Sequence, residues 1–286
     1  MTDMAKSDNS QQAFWNGDAA QAWVEAQGVL DQMFRPFEDA LVEAVAAQPG
    51  NRILDIGCGT GSVVRAVSRR LGQRQEQRQG ARCTGIDISE AMIAAARAIA
   101  AREGVSADFI CADAQTHDFA PESFDMIVSR FGVMFFDDPV RAFANLRRSV
   151  RSGGALRFAA WRSAGDNPFM TAAERAAAPF VPDMPVRQKD APGQFGFADQ
   201  HRVARILEDS GWRDIAVAPI DVACAIPKAA LDGYITRLGP LGRILPQLDE
   251  KARGQVIEAV RAAFAPFVQG EEVRFIAACW MVAARA

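Results

Sequence analysis

The residues best suited to chemistry fall in one stretch, Ile53-Leu-Asp-Ile-Gly-Cys-Gly-Thr-Gly-Ser-Val-Val64. A short apolar run carries Asp55, and the alternating glycines Gly57, Gly59 and Gly61 follow before a helical apolar pattern begins. That order predicts a buried strand, a tight turn and a helix N-terminus. Glycines let the backbone turn sharply and let a ligand approach closely, because no Cβ intervenes. The helix N-terminus adds unpaired N–H groups with a partial positive charge. The turn, with Cys58 and Thr60 between its glycines, is therefore predicted to bind a nucleotide-like cofactor. The dinucleotide fingerprint G-x-G-x-x-G needs its third glycine one position later, where Ser62 stands, so an NAD enzyme is disfavoured. Asp55, two residues ahead of Gly57, is placed for its carboxylate to meet a cationic amine.

The elements that must position this turn alternate along the chain. Strands are expected at Ile53–Gly57, Arg82–Asp87, Ala107–Cys111, Phe124–Ser129 and Ala155–Trp161. Read as five consecutive strand–helix units, they predict a mostly parallel sheet wound on both faces. Ser89 is suited to cap a helix over Glu90–Glu103, and Asp138-Pro139 to open one that runs to about Val150. Upstream, helices are predicted over Ala19–Gln27 and, as one element, from about Leu30 to Ala47. Downstream, residues 163–198 are rich in Pro and Phe and read as an inserted lid with a short helix near Thr171–Ala178. A helix capped by Asp199, a strand over Asp214–Val222, helices over Pro227–Leu238 and Leu248–Val268 around a loop Gly239-Pro-Leu-Gly242, and a last strand Val273–Ala284 complete the reading. The expected organisation is an N-terminal helical cap (1–48), a core (49–162), a lid (163–198) and the end of the sheet (199–286) with a helical insertion at 228–270.

Acidic residues stand at the tips of two of these strands. Asp87 ends the second strand, thirty positions after Gly57, and the polar segment Gly72–Gly80, read as a loop, accounts for the long offset. An acid there grips ribose hydroxyls in a Rossmann-like fold; a capping or surface role is the alternative. Asp113 follows the third strand, placed to accept from an adenine amino group with the Ala114 N–H nearby, or simply to form a turn. Arg130 leaves the fourth strand at its carboxyl edge and could hold an anionic substrate group or a cofactor carboxylate, or else pair with Asp137 or Asp138.

Five segments in this order, LDIGCGTG, the acid in GIDIS, the ADAQ step, FDMIVSRFGVMFF and RSGGALRF, resemble the class I S-adenosyl-L-methionine (SAM) methyltransferases across roughly residues 50–162. In particular the chain resembles the UbiE-like, type 11 small-molecule subgroup, and WNGDAAQAW and SRFGVMFFDDP are similar to a large bacterial set within it. The resemblance implies an α/β fold: a doubly wound, mostly parallel, seven-stranded Rossmann-like sheet with an antiparallel last strand, an N-terminal helical cap and inserted lid helices. It implies SAM as cofactor and S-adenosyl-L-homocysteine as product, with methyl transfer by in-line displacement to an O, N or C nucleophile. Cofactor contacts would come from Trp23, Asp55, Gly57, Cys58, Gly59, Thr60, Gly61, Asp87, Ile88, Met92, Asp113, Ala114, Gln115 and Ser129. A SAM-binding protein of the same fold with other chemistry, or with no catalysis, is the alternative.

Methyl transfer from a sulfonium needs alignment and exclusion of water more than side-chain chemistry, and proximity alone can supply about 7–11 kcal/mol. No catalytic triad is evident. Arg130 and His201 are the weak catalytic candidates, and His117, the other histidine, reads as cofactor-side or surface. Trp15 and Trp23 are either packing of the cap or an aromatic lid, since ring faces attract a sulfonium as they attract an ammonium. Trp15, Arg130, Met134, Phe135, Trp161, Phe169, Phe195 and Phe197 are the candidate substrate residues. Their apolar character points to a small, fairly hydrophobic acceptor.

With 286 residues and 49 % apolar content, the chain can bury a large core. No apolar run is long enough for a membrane helix, the polar start Met1–Gln12 does not read as a signal peptide, and residues 1–10 are expected to fray. The net charge of −3 favours no nucleic-acid partner, and the Arg/Gln cluster between Arg65 and Arg82 reads as a solvated loop. The five cysteines show neither a C-x-x-C pair nor metal-ligand spacing, so no metal is expected and reduced thiols fit the cytoplasm. Oligomeric state stays open, a homodimer being one option. Calorimetric titration checks the cofactor reading: SAM should bind with a measurable heat, and NAD should give none.

Overall fold

The computed structural model describes residues 10–73, 81–182, 184 and 187–286. The expected fraying of the first nine residues, most of the Gly72–Gly80 loop, and Asp183 and Pro185 of the lid lie outside the described residues.

The centre is a mixed sheet in the order β3-β2-β1-β4-β5-β8-β6. Its parallel strands are β1 (Arg52–Ile56), β2 (Arg82–Asp87), β3 (Asp108–Cys111), β4 (Phe124–Arg130), β5 (Val150–Trp161) and β6 (Arg213–Pro227). A two-residue β7 (Val268–Gln269) pairs with β8 (Glu272–Arg285), which lies antiparallel between β5 and β6. The described residues thus form one short strand more than the seven expected. Ile53, Leu54 and Ile56 are fully buried because β1 is central and covered on both faces. Strand order reverses beside β1, between β2 and β4, which opens a crevice at the strands' carboxyl ends. The glycine turn leaves β1 at that point.

Among the described residues, four helices precede the sheet: α1 (Ser10–Trp15), α2 (Asp18–Glu25), α3 (Gln27–Met33) and α4 (Arg35–Ala46). The single helix expected from Leu30 to Ala47 is therefore two. Pro36 sits in the first turn of α4, and inside a longer helix it would lose a hydrogen bond and clash with the preceding turn. Then come α5 (Ser62–Gly72), α6 (Glu90–Arg102), α7 (Pro139–Ser149), α8 (Pro168–Ala177) and α9 (Gln200–Asp209). Ser89, Asp138 and Asp199 cap α6, α7 and α9. The insertion before β7 holds α10 (Leu231–Arg237), α11 (Gly239–Ile244) and α12 (Glu250–Phe264). Gly239–Gly242, expected as a loop, opens α11 instead, with Pro240 in its first turn where a missing N–H costs nothing.

The reading of five strand–helix units fails once: no helix joins β3 to β4. The connection is a turn held by Asn145, whose Nδ2 donates to the carbonyls of Ala114, Gln115 and His117 at 3.2, 3.3 and 2.9 Å.

At the crevice, β1 and β4 approach closely. Gly57 has φ +62°, and a Cβ there would lie 2.6 Å from Gly132 Cα. Gly57→Ala should therefore lose about 2 kcal/mol or more of stability in urea unfolding, from the left-handed backbone and the clash together. Gly72→Ala, at the end of α5 with open space around it, should be neutral or stabilising by up to about 1 kcal/mol.

Candidate active site

The glycine turn is built by backbone contacts between neighbouring strands. Cys58 N donates to Ile86 O at 3.1 Å, and Gly59 N donates to Asp87 Oδ2 at 2.8 Å. Asp87 Oδ1 accepts from Ser89 N at 2.9 Å, so one carboxylate ties the turn to the start of α6. Burial raises the Asp87 pKa, and these N–H donors oppose the rise.

Asp55 lies beneath the turn and is only 1 % exposed. Burial pushes its carboxyl up to about 8; the Arg130 guanidinium opposes that, and Asp87 and Glu38 add to it. Its Oδ1 has no hydrogen-bond partner among the described residues, and neither has the buried Nη1 of Arg130. Arg130 is ion-paired with Asp31 of α3 at 3.6 Å, and not with Asp137 or Asp138, the pairing offered as the alternative to a ligand-holding role. The next residue, Phe131, has φ +67°, a strained backbone for a bulky side chain. Its ring stacks on Trp161 at 4.7 Å, and its N–H donates to Ala159 O at 3.1 Å, so packing holds the sharp exit that aims Arg130 and Gly132 at the turn.

A single cavity of about 880 Å³ joins these groups to an aromatic chamber. Asp55, Gly57, Cys58, Gly59 and Thr60 line one end, together with Asp87, Ile88 and Met92 from β2 and α6. Asp113, Ala114 and Gln115 line the same end, with the Gln115 Oε1 accepting from Asp137 N at 2.8 Å and so tying this loop to the start of α7. Trp15 and Trp23 of the cap cover the cavity, their rings 5.8 Å apart, and Trp15 also meets Phe135 at 5.2 Å. Arg130, Met134, Trp161 and Phe169 line it as well.

Five expected site residues are not brought to the cavity. Ser129 is fully buried; it donates to Ile56 O at 2.8 Å and accepts from Gly132 N at 3.1 Å, bracing β1 against β4. Gly61 caps α5, and a Cβ there would lie 2.8 Å from the Phe109 ring, so its small size serves helix packing. Phe197 is buried against Phe143 and Phe158, and Phe195 lies under the Arg187 guanidinium at 4.9 Å. Pro192, Gly193 and Gln194 line the cavity in their place, because Gly193 N donates to Met134 O at 3.0 Å and folds the segment that way. His201 is exposed in the first turn of α9, away from the lining. His117 lies outside it too, with its ring against Phe119.

The sequence reading did not single out Asp31, Met170 or Tyr234 of the lining, although it offered the 228–270 insertion, which holds Tyr234 and residues 238–243, as a second wall for the substrate. Asp31 carried a faint signal, a charge among Leu30, Met33 and Phe34 at core-facing spacing. Met170 and Tyr234 lie in the segments read as a lid and an insertion, and residue spacing there does not tell which side chains face the cavity.

A crevice at a topological switch point, with a glycine turn and acids at two strand tips, defines a doubly wound enzyme that binds a nucleoside cofactor. Residues 54–158 match the family model described as a methyltransferase domain. The chain is 27 % identical to the demethylmenaquinone methyltransferase of Renibacterium salmoninarum over 190 residues, 64 % of this chain and 75 % of that protein. It is 30 % identical to the aklanonic acid methyltransferase of Streptomyces sp. (strain C5) over 154 residues, 52 % of this chain and 67 % of that one. In fold it is similar to the YcgJ protein of a Bacillus, with a TM-score of 0.56 at 18 % identity, covering 87 % of this chain and 97 % of the other. The chain belongs to the UbiE-like class I SAM-dependent methyltransferases, with S-adenosyl-L-methionine as cofactor and small molecules as acceptors.

The site fits that cofactor on its own terms. An unpartnered carboxylate oxygen beside an unpartnered guanidinium N–H matches an amino-acid end bearing one ammonium and one carboxylate. Asp55 also predicts a pH effect. Its folded pKa lies above the ordinary 3.8, so the native state keeps a proton that the unfolded chain releases. The stability of the ligand-free protein from this group is therefore highest below 3.8 and falls as pH rises towards about 8. Asp55→Asn should unfold at a higher temperature than the parent at about pH 8, and the difference should close by about pH 4.

Proposed function

We propose that the enzyme transfers the SAM methyl group to an O, N or C nucleophile on a small, fairly hydrophobic acceptor. The supporting observation is the single cavity that runs from the glycine turn into a chamber walled by Met134, Trp161 and Phe169. Its volume is near the upper end of the range for small-molecule sites, about 300–1,000 Å³, as two ligands side by side would require.

In this reading Asp55 and Arg130 hold the amino-acid end of the cofactor, Asp87 the ribose, and Asp113 with Ala114 the adenine. SAM supplies an electrophilic methyl on a sulfonium. Trp15, Trp23 and Phe135 cover that region, exclude water and present ring faces towards positive charge. Residues 10–46 act as the cap, 163–198 as a lid, and the helices between β6 and β7 as the wall of the acceptor chamber. No side-chain base is assigned: catalysis rests on alignment inside a dry cavity. The net charge of −3 supports a small molecule over a nucleic acid as partner.

Incubation with methyl-labelled SAM and a panel of phenols, amines and apolar acids should place label in an extractable small product. Tight SAM binding with label left only in SAM across that panel would count against methyl transfer. Arg130→Met should raise the KM for SAM about ten-fold or more, as expected for losing a charged hydrogen bond in a buried site, with a smaller change in kcat.

A further inference from the structure

The acceptor chamber carries charges that its apolar character does not explain. Besides Arg130 at the cofactor end, three arginines line the cavity among the described residues, and two of them are neutralised. Arg187 forms a two-point ion pair with Glu174, its Nε 2.9 Å from Oε2, and Arg237 pairs with Glu25 at 2.9 Å. Arg243 of α11 has no acidic partner among the described residues. Its guanidinium lies 4.9 Å from the centre of the Phe14 ring, where α1 meets α11. Stacking on a ring face holds a guanidinium flat and leaves its N–H edge available for a bidentate anion.

A second polar group faces the same chamber. Tyr234 of α10 is half-buried, and among the described residues its hydroxyl has only the Met170 sulfur as a partner, at 3.5 Å. Thioether sulfur is a weak acceptor, so the phenol O–H is available to an incoming oxygen. Phe169, Leu241 and Phe264 supply apolar surface around it.

We propose that the acceptor is an apolar carboxylic acid, or a molecule carrying one such group, whose carboxylate is read by Arg243 while its body packs along the Phe169–Leu241 wall within reach of the Tyr234 hydroxyl. This rests on the reading of the chamber as the acceptor site. Arg243 is then a specificity determinant: it selects the anion at the junction of cap and insertion and takes no part in the transfer.

Tyr234 is the only tyrosine in the chain, so full-length protein grown with 3-fluorotyrosine gives one fluorine resonance, inside the chamber. Titration of the S-adenosyl-L-homocysteine complex with 2-naphthoate and with methyl 2-naphthoate should shift that resonance, the acid binding about ten-fold more tightly, as one charged hydrogen-bonded contact supplies. In Arg243→Gln the two probes should bind alike, with S-adenosyl-L-homocysteine affinity unchanged, and Arg243→Lys should keep part of the preference. The proposal is overturned if the ester matches the acid in the parent protein, if the preference survives in Arg243→Gln, or if neither probe moves the resonance. Because no turnover is read, acid-selective binding without methyl transfer would remove the methyltransferase reading alone, and methyl transfer without acid selectivity would remove only this proposal.

Discussion

A carboxyl group in the middle of a sheet is costly to ionise, and the active-site end of this protein is arranged around that cost. Asp55 is enclosed by β1 and its neighbours, and the positive charge that acts on it is Arg130. Arg130 is shared with Asp31, and Asp31 also pairs with Arg65 at 3.3 Å. Arg65 donates to the carbonyl of Thr60 in the glycine turn. A chain of alternating charges therefore runs from the strand through the cap helix α3 and back to the turn above Asp55. Removing Asp31 takes from the largely buried Arg130 the carboxylate it is paired with, the expensive case for an internal ion pair. Asp55, whose carboxyl burial holds in its neutral form, can lose its charge without that cost.

That network also explains why the cap lies where it does. The N-terminal helices cover the cavity through aromatic contacts, but rings pack in many orientations. The polar contacts are directional. Asp31 fixes α3 over Arg65 and Arg130, and Asn16 reaches the other side, where its Nδ2 donates to Ile88 O at 3.1 Å and its Oδ1 accepts from Glu90 N at 2.9 Å. Both anchors fall on the residues around Asp55 and Asp87. Closing the cap and shaping the cofactor end are thus one structural event, not two.

The acceptor end follows a different logic. Its walls come from α8, the 187–194 segment and the insertion between β6 and β7, none of which belongs to the parallel core. Phe169 alone stacks on Phe275 at 3.8 Å and meets Phe264 and Phe267 edge-on, so this wall has an aromatic core of its own. A site whose chemistry is positional can keep one cofactor floor and change acceptors by changing such walls, because specificity lives in the loops and insertions mounted on the scaffold.

The sequence by itself determined the scaffold and its cofactor. Apolar runs ending in Asp55, Asp87 and Asp113, with glycines at Gly57 and Gly59, specify strands, a turn and acidic strand tips through local geometry, which short-range residue spacing encodes. It also named most of one wall of the cavity, Trp15, Trp23, Met134, Phe135, Trp161 and Phe169 among them. Only the tertiary structure decided which polar groups meet across the chain. Ser129 turned out to brace two strands, Phe197 went to packing against Phe143 and Phe158, Phe195 went under the Arg187 guanidinium, and Arg130 chose Asp31, far away in sequence, over its neighbours Asp137 and Asp138. Pairings of that kind depend on how elements dock, and no spacing along one chain records it.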